Sequence, residues 1–255
     1  MSNPRKIVLT GAAGNLGRKL RAHWSGRFPV QAIDADPRGD DSILRADLAT
    51  CDARWASALD GADVVVHGAA NGSPLQTWDD ARRNIRMTFN VLEAARASKV
   101  ARVVYISSNH VMGGYKDREQ PRLITPTLPP RPGTTWQHHG QPASSDDYGL
   151  GKLCGEEIAR CFAETHDLEV IALRVGWVQT GENRVQDMPA HADEWTRAMW
   201  LSNADLCRLL DACISAPLRE RFVVVNGMSA NHGMRWDLAS ARDSVGYRAE
   251  DGVTG

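Results

Sequence analysis

A chain of 255 residues, 42% hydrophobic and 24% charged, carries enough apolar side chain for a packed core, which excludes disorder as its main state. Thirty basic residues against thirty-one acidic ones give a net charge of −1, and that balance excludes the broad basic surface of a nucleic-acid binder. No apolar run approaches the roughly 20 residues that span a bilayer, and Met1 to Lys6 lacks the apolar stretch of a secretion signal. The expectation is one domain over residues 1–255, in the cytoplasm, without a membrane or nucleic-acid partner. Five cysteines (Cys51, Cys154, Cys161, Cys207, Cys213) form no CxxC pair and read as reduced, mostly buried thiols.

Lys6 to Thr10 is a short apolar, β-branched run that ends at a glycine. Similar runs follow at Val30–Ile33, Val64–Val66, Val103–Ile106, Val170–Leu173 and Phe222–Val225. Between them apolar residues fall at three- and four-residue spacing, as in Ile85, Phe89, Leu92 and Ala95, and again in Leu150, Leu153, Cys154, Ile158 and Phe162. Continuous apolar strands alternating with amphipathic helices predict an α/β fold: a Rossmann-type, doubly wound parallel sheet covered on both faces. Met112 to Asp147 breaks the rhythm, with six of the twelve prolines and no periodicity. It reads as a lid or binding loop, the alternative being a disordered surface insertion.

Gly11, Gly14 and Gly17 stand directly after the first strand and open a helical segment, Asn15 to Trp24. Glycines there allow a tight turn and close approach of a pyrophosphate, while the helix N-terminus offers free N–H groups. The second strand ends in Asp34, whose carboxylate can accept hydrogen bonds from ribose hydroxyls and repel a 2′-phosphate; NAD is therefore predicted over NADP. Arg38 nearby argues the other way, and Asp34 alone could be a strand-end turn. Asp47-Leu48, after a third short strand, either faces the adenine or forms a solvated turn.

Tyr148 and Lys152, four residues apart on a helix opened by Ser144-Ser145-Asp146-Asp147, share one helical face. A free tyrosine, with a pKa of about 10, is a poor base at neutral pH, and a neighbouring ammonium stabilises its phenolate. The pair can then move a proton to or from a substrate hydroxyl. Ser107-Ser108-Asn109-His110 follows the Val103–Ile106 strand at the carboxyl edge of the sheet, where a hydroxyl can hold the same oxygen.

Together with the closing Val245-Gly246-Tyr247, these motifs resemble an extended short-chain dehydrogenase/reductase of the NAD-dependent epimerase/dehydratase superfamily, over essentially the whole chain. Ser107–His110, Arg174-Val175-Gly176, Met199–Ser202 and Gly227–Asn231 most resemble uronate dehydrogenases and related NAD-linked sugar-phosphate 1-dehydrogenases. The resemblance implies NAD held by Gly11, Gly14, Asn15, Leu16, Gly17, Asp34, Asp47, Leu48, Gly68, Ala69 and Ala70, together with Tyr148 and Lys152. It implies oxidation of a small anionic sugar at C1, with Tyr148 as base, Lys152 as its partner and Ser108 orienting the hydroxyl. Asn109 and His110 would contact substrate, within substrate-binding elements mainly at 108–147 and 177–235. Asn84 sits where the superfamily often has a helix asparagine, or is a helix-surface amide.

Trp177, which stands where uronate dehydrogenases carry a substrate-touching serine after the Arg-x-Gly segment, is expected to bind substrate through bulk in place of that contact, alone or with the other late tryptophans. Arg197, with Arg184 second, stands nearest the place of their carboxylate-binding arginine; a guanidinium fork suits carboxylate and phosphate alike. Trp195, Trp200 and Trp236 read as an aromatic wall or as packing, and His138-His139, without further ligand spacing, predicts no metal site. Helices around Asn84–Ala97 and Tyr148–Phe162 resemble those that pair into dimers, so a homo-oligomer is expected. Two alternatives accompany this reading: an epimerase or dehydratase that retains its NAD, and a catalytically silent protein that senses NAD. The roughly 80 residues after Val175 allow a small C-terminal substrate-binding subdomain, modest room for a nucleotide-bearing sugar, and both Tyr148 and Lys152 are kept.

Overall fold

Every apolar run singled out in the sequence forms a strand, and the segments between them form helices. The structure, a computed structural model, describes residues 5–138, 140–189 and 192–254. His139, half of the histidine pair, lies outside the described residues. In chain order the elements are β1 (Ile7–Thr10), α1 (Asn15–Trp24), β2 (Val30–Asp34), β3 (Ile43–Arg45), α2 (Ala53–Ala56), β4 (Val64–His67), α3 (Trp78–Ala97) and β5 (Arg102–Ser108). There follow β6 (Thr135–His138), β7 (Gln141–Ser144), α4 (Asp146–Thr165), β8 (Glu169–Val175), α5 (Glu194–Ala198), α6 (Asn203–Ser215), β9 (Phe222–Gly227) and α7 (Ala239–Val245).

Seven strands form a parallel sheet in the order β3-β2-β1-β4-β5-β8-β9. Strand side chains alternate between its two faces. Ile7, Leu9, Val64, Val66, Val104 and Leu173 pack with Leu20 and Trp24 of α1 and with Leu206, Leu209 and Leu210 of α6. Val8, Ile33, Val65, Val103 and Val170 pack instead with Val91, Leu92 and Ala95 of α3 and with Ala159 and Phe162 of α4. The order reverses direction between β1 and β4, and a crevice opens at the carboxyl ends of strands beside such a reversal. Gly11, Asp34, Gly68 and Ser108 all lie at that edge.

The segment predicted as one aperiodic loop has structure of its own. Asn109–Tyr115 is a 3-10 helix, and β6 and β7 form an antiparallel hairpin. Between them Arg235 donates to the Tyr115 (3.1 Å), Arg118 (2.8 Å) and Pro121 (2.9 Å) carbonyls, and Ile124 pairs with Trp236 as an isolated bridge. Buried Val111, Met112, Tyr115 and Ile124 pack with Trp195, Met199, Met228 and Trp236 in a satellite core. Sequence periodicity misses this because the contacts are supplied from the other end of the chain. The cysteines are all free but not mostly buried: Cys213 is buried, whereas Cys51 and Cys161 are exposed. No described helix is long and apolar enough to cross a membrane.

Candidate active site

The turn after β1 is built around the absence of side chains. A Cβ on Gly11, whose φ is +73°, would stand 2.7 Å from the Gly68 backbone; one on Gly17 would stand 2.2 Å from the Gly11 carbonyl oxygen. The first glycine lets the β1 and β4 ends approach, and the last seats α1 on the turn. Gly14 caps α1 without a side-chain bond, and no acidic residue occupies the first turn, so its leading N–H groups stay open to an anion. Asp34 Oδ2 accepts from Ala13 N–H (2.9 Å) and Oδ1 from Asp36 N–H (3.0 Å), which hold the carboxylate beside the turn. This cradle, with an acidic group at the β2 end, fits a dinucleotide.

Other residues predicted at the cofactor are placed less directly. Asn15 turns its amide away, to the Val178 (3.0 Å) and Gln179 (3.2 Å) carbonyls, and Leu16 packs on the core. Leu48 packs its side chain among apolar neighbours, and its carbonyl accepts from Asn90 Nδ2 at 2.8 Å. Asp47 accepts from Ala49 N–H and pairs with Arg83 at 2.7 Å, the solvated turn left open by the sequence. Gly68, Ala69 and Ala70 follow β4 and are partly exposed.

On the other side of the crevice, Ser108 ends β5 and the predicted pair Tyr148 and Lys152 lies on α4 beside it. The Ser108 hydroxyl accepts from His110 N–H (3.2 Å) and donates to Asn109 Oδ1 (3.3 Å), with the Tyr148 phenol beside it. Burial pushes the Tyr148 phenol above its ordinary value, and the neighbouring Ser108 hydroxyl opposes that rise. Lys152 donates to the Ile106 carbonyl at 2.7 Å and sits 5.2 Å from the Tyr105 ring centre. Burial lowers it to about 8, with the Glu156 carboxylate pulling it back up. Lys152 thus titrates near neutrality, where its charge can matter to a neighbouring phenol.

Of the predicted substrate residues, His110 stacks edge-on against Tyr148 at 5.4 Å and bonds Ser145 through Nδ1 (2.7 Å). Burial holds His110 down at about 4, so the ring is neutral at physiological pH. Asn109 is buried and donates to the Met199 sulfur, which ties the strand end to the segment after α5. Trp177 is half-buried; its backbone pairs with Met199 and Leu201, and its ring packs with Trp200. Trp195, Trp200 and Trp236 are buried packing residues. Arg197 lies on α5 with Nε bonded to the Ala192 carbonyl at 3.1 Å, whereas Arg184 is exposed and paired with Asp187. Asn84 is a buried clamp and no surface amide, bonding both backbone groups of Asn71. Among the described residues no acidic, histidine or cysteine cluster could hold a metal.

Two buried polar groups escaped the sequence reading. Glu156, one helical turn beyond Lys152, forms a two-pronged ion pair with Arg174 and accepts from Ser107 Oγ at 2.5 Å. Its spacing on the Tyr148–Lys152 face was visible. His67, which ends the otherwise apolar β4, was the second signal, a lone histidine in a core run.

The model of the NAD dependent epimerase/dehydratase family matches residues 7–198. L-arabinose 1-dehydrogenase (NAD(P)(+)) of Haloferax volcanii is 34% identical, covering 96% of each chain. NAD-dependent glucose-6-phosphate dehydrogenase of the same organism is 30% identical, covering 96% of this chain and 93% of its own. Among solved structures, a mutant uronate dehydrogenase from Agrobacterium tumefaciens complexed with NAD superposes with a TM-score of 0.73 at 27% identity, covering 97% of this chain and 85% of its own.

Proposed function

The chain belongs to the NAD dependent epimerase/dehydratase family, and within it we propose that it is an NAD-dependent dehydrogenase that oxidises a small anionic cyclic sugar at C1 to the lactone. One observation carries the reading: Ser108, Tyr148 and Lys152 meet at the carboxyl end of β5, beside the glycine turn and Asp34. The chemistry NAD supplies when bound is acceptance of the C1 hydride. Ser108 Oγ holds the anomeric hydroxyl beside Tyr148, whose phenolate takes its proton and becomes the phenol. The Lys152 ammonium, one turn along the same face, stabilises that phenolate before the transfer. Gly11, Gly14, Gly17 and Asp34 seat the dinucleotide, with the Asp34 carboxylate toward the ribose hydroxyls. Arg197, a fork on α5 two residues before Met199, is the candidate for the carboxylate or phosphate of the sugar.

The test is NADH formation by purified protein with a panel of uronates, aldose phosphates and neutral aldoses. Turnover with an anionic member, weakened chiefly in KM by Arg197→Ala, supports the reading. Turnover confined to neutral aldoses removes the anion from it, and no NADH with any sugar refutes it.

A further inference from the structure

The crevice of the sheet lies between the last residues of β1 and β4, and those two residues, Thr10 and His67, are cross-strand partners. Neither takes part in the chemistry described above. His67 is buried at 2% exposure, yet both its ring nitrogens are bonded: Nδ1 to Thr10 Oγ1 at 2.8 Å and Nε2 to Thr88 Oγ1 of α3 at 3.3 Å. The neighbours decide the direction of each bond. Thr88 spends its own hydroxyl proton on the Asn84 carbonyl at 3.0 Å, so it must accept from His67 Nε2–H. Nδ1 is then the bare nitrogen of a neutral ring and accepts from the Thr10 hydroxyl. Thr10 Oγ1 in turn accepts from the Ala69 N–H at 3.2 Å. Burial and the Lys152 ammonium hold His67 down at about 3, which keeps the ring in this neutral state.

The chain therefore runs from Ala69 through Thr10, His67 and Thr88 to Asn84. Asn84 closes it by bonding Asn71 N–H (2.9 Å) and the Asn71 carbonyl (3.0 Å). Both ends of the Gly68–Asn71 turn are thus tied to one imidazole, while Ala70 between them has no hydrogen-bond partner among the described residues. On its other side His67 stacks on Tyr105 with ring centres 6.0 Å apart, and Tyr105 carries the Lys152 ammonium over its face.

We propose that His67 is a positioning residue for the dinucleotide: as the Nε2–H tautomer it joins Thr10 to Thr88 and so fixes the Gly68–Ala70 backbone where the cofactor must lie. The proposal rests on the reading of that turn as part of the NAD site. It assigns a role to a side chain that touches neither substrate nor cofactor.

The experiment is calorimetric titration of NAD into wild type, His67→Phe and His67→Gln, which gives the dissociation constant and the binding-competent fraction separately. Phenylalanine keeps the stack on Tyr105 and removes both hydrogen bonds; glutamine restores one acceptor and one donor. The proposal predicts a roughly tenfold weaker dissociation constant for H67F, and recovery to within about threefold of wild type for H67Q. A purely structural histidine would lower the competent fraction and leave the dissociation constant unchanged, and that result overturns the proposal. Should H67F fail to fold, Thr88→Val opens the same chain while keeping the ring, with a several-fold loss of affinity expected and an unchanged constant counting against. Wild type that binds no NAD would overturn the dinucleotide reading itself; wild-type binding with indifferent variants overturns only the role of His67.

Discussion

Replacing Glu156 by glutamine probes the charge arrangement beneath the candidate proton relay. Glu156 and Arg174 are each 2% exposed, joined by Nε–Oε1 (2.9 Å) and Nη2–Oε2 (2.7 Å) bonds, and Arg174 Nη1 has no hydrogen-bond partner among the described residues. Glutamine is nearly isosteric but strands the guanidinium as an uncompensated buried cation. Breaking such a pair from one side costs about 3–5 kcal/mol. With roughly 2–4 °C lost per kcal/mol in a chain of this size, the melting temperature should fall by roughly 6–20 °C. The same change removes the carboxylate that supports the charge on Lys152, so Lys152 should titrate below its value of about 8 and the alkaline limb of kcat should move to lower pH. The double variant Glu156→Gln, Arg174→Met removes both buried charges and should recover most of the lost melting temperature, because swapping a buried ion pair for uncharged groups is often near neutral. The alkaline limb should stay displaced. The assays are thermal unfolding and a pH profile of turnover. A single variant that melts within about 1 °C of wild type, or a double variant that recovers nothing, refutes the pairing argument; an unmoved alkaline limb refutes the link to Lys152.

Acid should destabilise the fold through its buried histidine. The folded His67 value of about 3 lies below the ordinary 6.5, so as pH falls from about 6.5 toward 3 the unfolded chain gains a proton that the folded chain refuses. Stability present above pH 6.5 is therefore lost on acidification, roughly 2 kcal/mol from His67 between pH 7 and pH 5. His110, held at about 4, adds in the same direction. Urea unfolding at the two pH values should show this loss, and His67→Gln should remove its share; an equal loss in that variant contradicts the assignment. At the other end of the crevice, Asp34→Ala should weaken NAD by roughly ten- to a hundredfold and narrow its preference over NADP, as charged hydrogen bonds to the ribose are removed. Unchanged affinity for both dinucleotides in competition binding would remove Asp34 from the site.

The parallel sheet was legible because buried strands announce themselves as continuous apolar runs, and Gly11, Gly14 and Gly17 because their spacing follows from a turn and a helix start. Tyr148 and Lys152 were legible for the same reason: helical geometry converts a spacing of four into a shared face. What joins distant segments was not. The Met112–Asp147 stretch looked aperiodic because Arg235, Trp236 and Trp195 hold it from dozens of positions away. Arg174 looked like part of a motif, and only the pairing of β5 with β8 reveals it beside Ser107 and under Glu156. Leu48 followed a positional analogy, but its side chain obeys the core, because an apolar residue beside Trp55 and Ile33 gains more from burial than from facing a nucleotide.

The central claim is that Tyr148, Lys152 and Ser108 carry an oxidation and not a rearrangement. It is tested most directly by following a sugar substrate with excess NAD, counting NADH by absorbance and identifying the product by NMR, in wild type and Tyr148→Phe. The account predicts one NADH for each lactone or ring-opened acid formed, and in Tyr148→Phe a loss of turnover of at least about a hundredfold with NAD affinity retained. Product formed without net NADH, or undiminished turnover in the phenylalanine variant, would contradict it.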